Sequence, residues 1–305
     1  MEIKNYGFIP DVIIEGVDYV AGEYTKLGAV EINPLKNWTL YLPDNEFQRK
    51  AVETMNCTSF GTLNCVEIIL NFLGIKSNYS DRALGIAAGT TPQGNSVHKV
   101  AETIRTVLGC VNENLLPFDQ SITTWGQYYS PNPLPESITS EGKKWKDIEW
   151  NFGHQWVFQG GSLKDKQVAL KAALGRSPVG VSVQAWTFDN EKMMYTKPLG
   201  GLDNHWCVLI NMKENEWWEV FDTYDGFIKR LIWGYDFGFA KEYTLLKRPP
   251  VVTPTFTEQE KNILLIWLDS IKQWLLSLQV KFGGLFGGKK IKPITQFDEE
   301  LPPMA

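Results

Sequence analysis

The residues in this sequence that could do covalent chemistry are few. There are four cysteines, at 57, 65, 110 and 207, and three histidines, at 98, 154 and 205. Cys57 stands out by position. Asn56 is an N-cap residue type. After it, Phe60, Leu63, Ile69, Leu70 and Leu73 recur at helical spacing until Gly74, a helix-stop residue. A cysteine in the first turn of such a helix faces free backbone N–H groups and the positive end of the helix dipole. Both favour the thiolate, the form that attacks a carbonyl carbon. The competing reading is a small buried core residue, the usual fate of a free cysteine.

A nucleophilic thiol needs a base, and the base needs an orienting group on its other ring nitrogen. His205 opens the apolar run to Ile210, so a strand end would aim it firmly at a cleft. His98 falls mid-helix among polar residues and reads as solvated, and His154 lies in a Trp-rich loop. The runs His205–Ile210 and Trp217–Asp222 look like a hairpin. With a two-residue loop at Lys213 and Glu214, Asp222 falls opposite His205, with Cβ atoms about 5 Å apart. Lys-Glu is a poor pair for such a turn. A shift of two residues puts Tyr224 opposite His205 and leaves Asp222 a diagonal neighbour. For an oxyanion, the donors on offer are the Cys57 amide and a side-chain amide upstream, Gln48 or Asn56. Asn56 doubles as the helix cap. Trp186 and Trp206, near strand ends, are candidates to line a substrate cleft, with core packing as their alternative.

The elements that must position these groups change character along the chain. Residues 1–56 read as irregular or extended, broken by Pro10, Pro34 and Pro43. Helices are predicted at 57–73, 96–108 and 163–174, with a Pro-, Trp- and Tyr-rich loop at 117–135. Strands are predicted at 178–183, 205–210, 217–222 and 228–233, the last after an Asp225-Gly226 turn. Helices first and strands second indicate an α+β protein. Residues 249–257 form a Pro/Thr-rich linker. The amphipathic helix after it, residues 258–282, carries Ile263, Trp267, Ile271, Trp274 and Leu278 on a wide apolar face.

Composition narrows the classes of function. A 43% hydrophobic, 21% charged chain of 305 residues can bury a real core and is not a disordered polymer. The net charge of −5 gives no global attraction to nucleic acid. No cysteine pair has the spacing of a zinc or redox site, and three scattered histidines offer no metal ligand pair, so no metal or cofactor is expected. Acidic residues interrupt the apolar stretches at the N-terminus, which therefore does not read as a signal peptide. The longest apolar run in the tail, six residues at 263–268, is too short for a membrane span. A cytoplasmic or virion-associated protein with reduced thiols is expected.

Taken in order, these segments resemble the papain-like cysteine peptidases. Gln48 precedes the segment Met55–Phe60, as a Gln precedes the cysteine in that family. The run Leu170–Val183 resembles the family's helix, Pro-Val step and strand. Asp203–Ile210 resembles its histidine strand, Trp217–Tyr224 its strand ending in Asn-Ser-Trp, and Gly109–Phe118 its segment leading to a Pro-aromatic pair. The resemblance covers residues 40–246. It departs in having Asp222 where papain has Asn, in a longer spacing from Gln48 to Cys57, and in lacking the Gly-x-Cys-Trp surroundings of the nucleophile. Asp at the third position also occurs in double-glycine leader peptidases and transglutaminase-like acyltransferases. With 56 residues before Cys57, a long inhibitory pro-segment is not expected.

The resemblance implies a two-lobe fold within residues 1–250. A helical lobe at about 57–145 would carry Cys57. An antiparallel β lobe at about 146–250, together with the N-terminal segment, would carry His205. Residues 251–305 would form a linker and helical tail. It further implies a thiol peptidase or amidohydrolase acting on a peptide or protein substrate through Cys57, His205 and Asp222, with Gln48 at the oxyanion. Two other readings stand beside it. One is an inactive papain-fold binding module that assembles through the tail. The other is an acyltransferase using the same three residues with an amine as acceptor. The tail helix at 258–282 would serve self-association or contact with a membrane surface.

Overall fold

The computed structural model describes residues 5–13, 31–249 and 265–275. The chain divides into two units, residues 1–250 and 251–305. In the first, α1 (Cys57–Phe72), α2 (Asp81–Ala87), α3 (Val97–Glu102), α4 (Trp125–Tyr128) and α5 (Glu136–Lys144) precede the strands. Then come β1 (Trp150–Trp156), α6 (Leu163–Leu174), β2 (Val179–Val183), β3 (Thr187–Asp189), β4 (Met194–Thr196), β5 (His205–Lys213), β6 (Trp217–Phe221), β7 (Ile228–Ile232) and β8 (Ala240–Lys247). The strands form one eight-stranded sheet in the order β1-β8-β2-β5-β6-β7-β4-β3. Neighbours are antiparallel except β4 and β7, which meet in parallel.

Helix α1 is the axis of the fold. Every residue from Cys57 to Leu70 is buried, so the helix is enclosed on all faces rather than riding on a surface. It packs closely on β5: a Cβ added to Gly61 would lie 2.7 Å from Cδ1 of Trp206, so only glycine lets the helix approach. Gly74, at φ +77°, ends the helix as expected, with its N–H donated to the Asn71 carbonyl. Asn56 occupies the capping position but does not cap with its side chain. Its amide instead donates to the Asp81 carbonyl (2.8 Å) and Tyr128 hydroxyl (3.0 Å), tying α1 to α2 and α4.

The β5–β6 hairpin differs from the two-residue loop considered from the sequence. Lys213 pairs with Trp217, leaving a three-residue loop in which Asn215 takes φ +61°. Asn tolerates the left-handed region, which Lys and Glu avoid. A bulge at Ile210 shifts the register, so Val208 faces Phe221. Continued to the strand end, this is the register that leaves Asp222 diagonal to His205. Strands β1, β3, β4 and β8 have no counterpart among the expected strands. β8 hides its pattern because Lys241 and Glu242 are buried: Lys241 lies 3.6 Å from the centroid of the Trp156 ring, and Glu242 pairs with Arg176 at 2.7 Å.

Residues before α1 are fastened to the sheet through Trp38. It is fully buried, its backbone N–H bonds the Ile210 carbonyl, and its indole N–H bonds the Leu174 carbonyl at 2.8 Å. In the second unit, residues 265–275 are helical and all exposed, the apolar Leu265, Ile266, Trp267, Leu268, Ile271, Trp274 and Leu275 among them. No described helix is long and apolar enough to cross a membrane. The rest of the predicted 258–282 helix lies outside the described residues.

Trp38→Ala is expected to lower the unfolding free energy by about 3–5 kcal/mol, as for other buried aromatic truncations. Urea unfolding checks this. A loss below about 1 kcal/mol would mean that the 31–43 stretch is not part of the cooperative core.

Candidate active site

The sequence candidates converge where the start of α1 meets the start of β5. Cys57 is the first residue of α1 and His205 the first of β5, and neither exposes any surface. The backbone amides of Trp206, next to His205, and of Thr58 lie close enough to the Cys57 sulfur to favour its charged form. Asp222 follows β6. Its Oδ1 accepts from His205 Nε2 at 2.6 Å and from the Thr223 N–H at 2.8 Å. His205 Nδ1 is buried and has no hydrogen-bond partner among the described residues. The imidazole thus has one nitrogen fixed by a carboxylate and the other left over.

Charge in this pocket is set by burial and by neighbours. Burial alone would raise the Asp222 carboxyl, but the charges and hydrogen bonds of His205 and Lys229 outweigh it and hold it below the usual range. Burial pushes the Cys57 thiol well up. The amides of Trp206 and Thr58 oppose this, while the carboxylates of Glu53 and Asp222 add to it. The thiolate expected at a helix start is therefore not the favoured form in this arrangement, because water is excluded from the sulfur.

The chain's own N-terminal stretch packs over this site. The Tyr6 N–H bonds the Asn204 carbonyl at 3.0 Å, the Asn95 N–H bonds the Gly7 carbonyl at 2.9 Å, and the Ile9 N–H bonds the Asn95 carbonyl at 3.0 Å. The Tyr6 ring meets the rings of His205 (5.9 Å) and Tyr224 (5.4 Å) edge-on. Phe8 stacks on Trp206 at 5.6 Å in a cluster that includes Cys57, Val97 and Trp156. Gly7 has φ +107°, and a Cβ there would lie 2.3 Å from the Met55 carbonyl oxygen. Only glycine threads this gap. Gly7 itself is the one mark of this cover in the residue types.

Gln48 is buried, and its amide donates to the Tyr6 carbonyl (2.8 Å) and Glu53 Oε1 (2.9 Å), so the carbonyl oxygen it holds belongs to the covering stretch. Asn56 points away toward α2, which removes it as an oxyanion candidate. Trp186 donates its indole N–H to Asp222 Oδ2 at 3.0 Å and sets its ring 6.0 Å from that of His205. It shields the pair. Trp206 is fully buried beneath Phe8, as its core-packing alternative has it: in an alternating strand its side chain lies on the opposite face from that of His205. Lys229 and the Glu53–Tyr224 hydrogen bond (2.8 Å) escaped the sequence reading. An inward lysine in the alternating run Ile228–Ile232 was the available sign of the first.

His98 and His154 form a separate cluster. His154 is in β1, not a loop, and His98 is half-buried rather than solvated. His154 Nε2 bonds Glu102 Oε1 at 2.8 Å, and its Nδ1 lies 3.3 Å from the Lys241 ammonium. The ammonium can only donate, so His154 is neutral and carries its proton on Nε2. No cluster of His, Cys, Asp or Glu that could hold a metal occurs among the described residues.

No protein-family model and no curated protein sequence matches this chain. Solved structures do match. The cysteine protease and lectin-like domains of Cwp84, a surface layer associated protein of Clostridium difficile, align with a TM-score of 0.52 at 11% identity, over 69% of this chain and 51% of that one. A second structure of the Cwp84 cysteine protease, after propeptide cleavage, gives 0.51 at 12%, over 69% and 57%. Bromelain from Ananas comosus gives 0.48 at 17%, over 68% and 97%. The chain aligns with 66% and 61% of the length of two structures of the Amb a 11 cysteine protease, a ragweed pollen allergen, in its proform, with TM-scores of 0.46 and 0.45 at 15% identity. The chain has a papain-like α+β fold.

Burial lowers the His154 pKa to about 4 from 6.5, against the opposing pull of Glu102. A histidine kept neutral by folding stabilises the protein fully above the unfolded value. That stability is lost as pH falls from 6.5 to about 4. The loss amounts to about 3 kcal/mol. His154→Gln is expected to flatten this part of the stability–pH curve, measured by urea unfolding at stepped pH. An unchanged slope would reject the assignment.

Proposed function

We propose that the protein is a thiol peptidase or amidohydrolase held in a covered state by its own residues 6–9. One observation carries the reading. The His205–Asp222 hydrogen bond leaves the second imidazole nitrogen without a partner among the described residues, on the residue next to the Trp206 amide that adjoins the Cys57 sulfur. Nucleophilic acyl transfer needs this arrangement of thiol, oriented base and orienting carboxylate.

The chemistry follows from the roles of the groups. His205 Nδ1 takes the thiol proton as Cys57 Sγ bonds to the scissile carbonyl carbon. The electron pair moves to the oxygen, which the Cys57 amide and Gln48 Nε2 stabilise. His205 then gives its proton to the leaving nitrogen as the C–N bond breaks, and a thioester remains. Water attacks the thioester carbon and loses a proton to His205. The C–S bond breaks, and the thiolate recovers that proton. Asp222 keeps the imidazole in one orientation throughout. In the covered state, Gln48 holds the Tyr6 carbonyl oxygen in place of a substrate oxygen.

Alkylation by iodoacetamide at mildly acidic pH, with mass-spectrometric readout at Cys57, tests both halves. The native protein is expected to label slowly. Gly7→Ala adds backbone strain of about 1–3 kcal/mol to the covering stretch and should raise the rate about tenfold or more. His205→Ala placed on that background should return Cys57 to the rate of an ordinary thiol. A Cys57 that is uncovered yet indifferent to His205 would reject the thiol chemistry. A Gly7→Ala protein that labels no faster than wild type would reject the cover.

A further inference from the structure

Asp222 and His205 do not form an isolated pair. Lys229, on the inward face of β7, is 3% exposed at its side chain, and its ammonium donates to Asp222 Oδ2 at 2.8 Å. Its other two donors go to the carbonyls of Asp225 and Gly226, both at 2.9 Å. All three ammonium protons are thereby used. The Asp225–Gly226 turn, with Gly226 at φ +69°, folds two carbonyls onto one side of the ammonium while the carboxylate holds the other. The Trp186 ring lies 5.2 Å from the same ammonium.

The other charged and titratable groups around His205 come from every element packed on it. Cys57 comes from α1, Tyr6 from the covering stretch, Tyr224 from the segment after β6, and Cys207 from β5 itself. Behind the two tyrosines stand Glu53 and Arg49. Lys229 is the cation among these that bonds the carboxylate holding His205.

We propose that Lys229 is a positioning residue that neutralises Asp222, so that His205 meets a carboxylate in hydrogen-bond geometry whose charge is already matched. A buried carboxylate 2.6 Å from an imidazole, left unmatched, would hold the imidazolium too tightly for it to return a proton to a leaving group. With Lys229 in place, the Asp–Lys pair acts on His205 much as a neutral amide would. The ionised carboxylate still accepts four hydrogen bonds and fixes the ring. The catalytic consequence rests on the thiol chemistry proposed above. The charge coupling itself does not.

The test reads the His205 titration directly, by NMR of the ring C–H groups in the full chain, assigned by loss of signal in His205→Ala. Lys229→Met is expected to raise the His205 pKa by about one unit or more. Asp222→Asn, which leaves the cation unmatched, is expected to lower it. The double variant Asp222→Asn/Lys229→Met should return it close to wild type. A lysine that merely ties the turn would change stability in Lys229→Met and leave the titration in place. If Lys229→Met does not fold, Asp222→Asn and the double variant still give the opposed shift and its recovery. A His205 that titrates within about 0.3 units of wild type in all folded variants would overturn the proposal. Because the readout is titration and not turnover, its failure is distinguishable from a failure of the thiol chemistry, which alkylation of Cys57 reports separately.

Discussion

One buried carboxylate organises the site. Asp222 accepts four hydrogen bonds, from His205 at the head of β5, from its own neighbour Thr223, from Trp186 in the connection after β2, and from Lys229 on β7. Removing a charge of this kind from water is costly unless its lone pairs are filled and a counter-charge is close. Here both conditions are met by residues from separate elements, so the carboxylate can stay ionised away from water only when the strands around it are assembled. The site and the centre of the sheet are therefore one structure.

A second balance decides the state of Cys57. The start of α1 offers amides and a dipole that favour a thiolate. Burial among Phe8, Val97, Trp156 and Trp206 removes the water that a thiolate would need, and burial prevails. The charge state of the thiol at this backbone position thus depends on burial as well as on the helix start. The gap that admits the stretch Tyr6–Ile9 is set by Gly7, whose missing Cβ lets the chain pass the Met55 carbonyl.

Much of this was legible from residue types. The helix from Cys57 to Phe72 was marked by spacing and by the stop residue Gly74, and the strands at 179–183, 205–213 and 217–221 by apolar stretches between turns. Four strands were not legible. β8 carries buried charges whose partners, Arg176 and Trp156, are distant in sequence. β3 and β4 are three residues each, too short for a periodic signal. The hairpin register was open because the sequence could not tell whether Asn215 would take the left-handed conformation, and the bulge at Ile210 has no local mark.

The sequence by itself determined which groups were available for chemistry: one thiol at a helix start, one histidine at a strand start, and one acid at the end of the following strand. Those are local properties, fixed by spacing and by the conformational preferences of neighbouring residues. Only the tertiary structure decided how they are charged. The match between Lys229 and Asp222, the His205 Nδ1 left without a partner among the described residues and the burial of Cys57 all depend on distance through space and exclusion of water. Electrostatic energy in a low-dielectric interior follows those quantities and not separation along the chain.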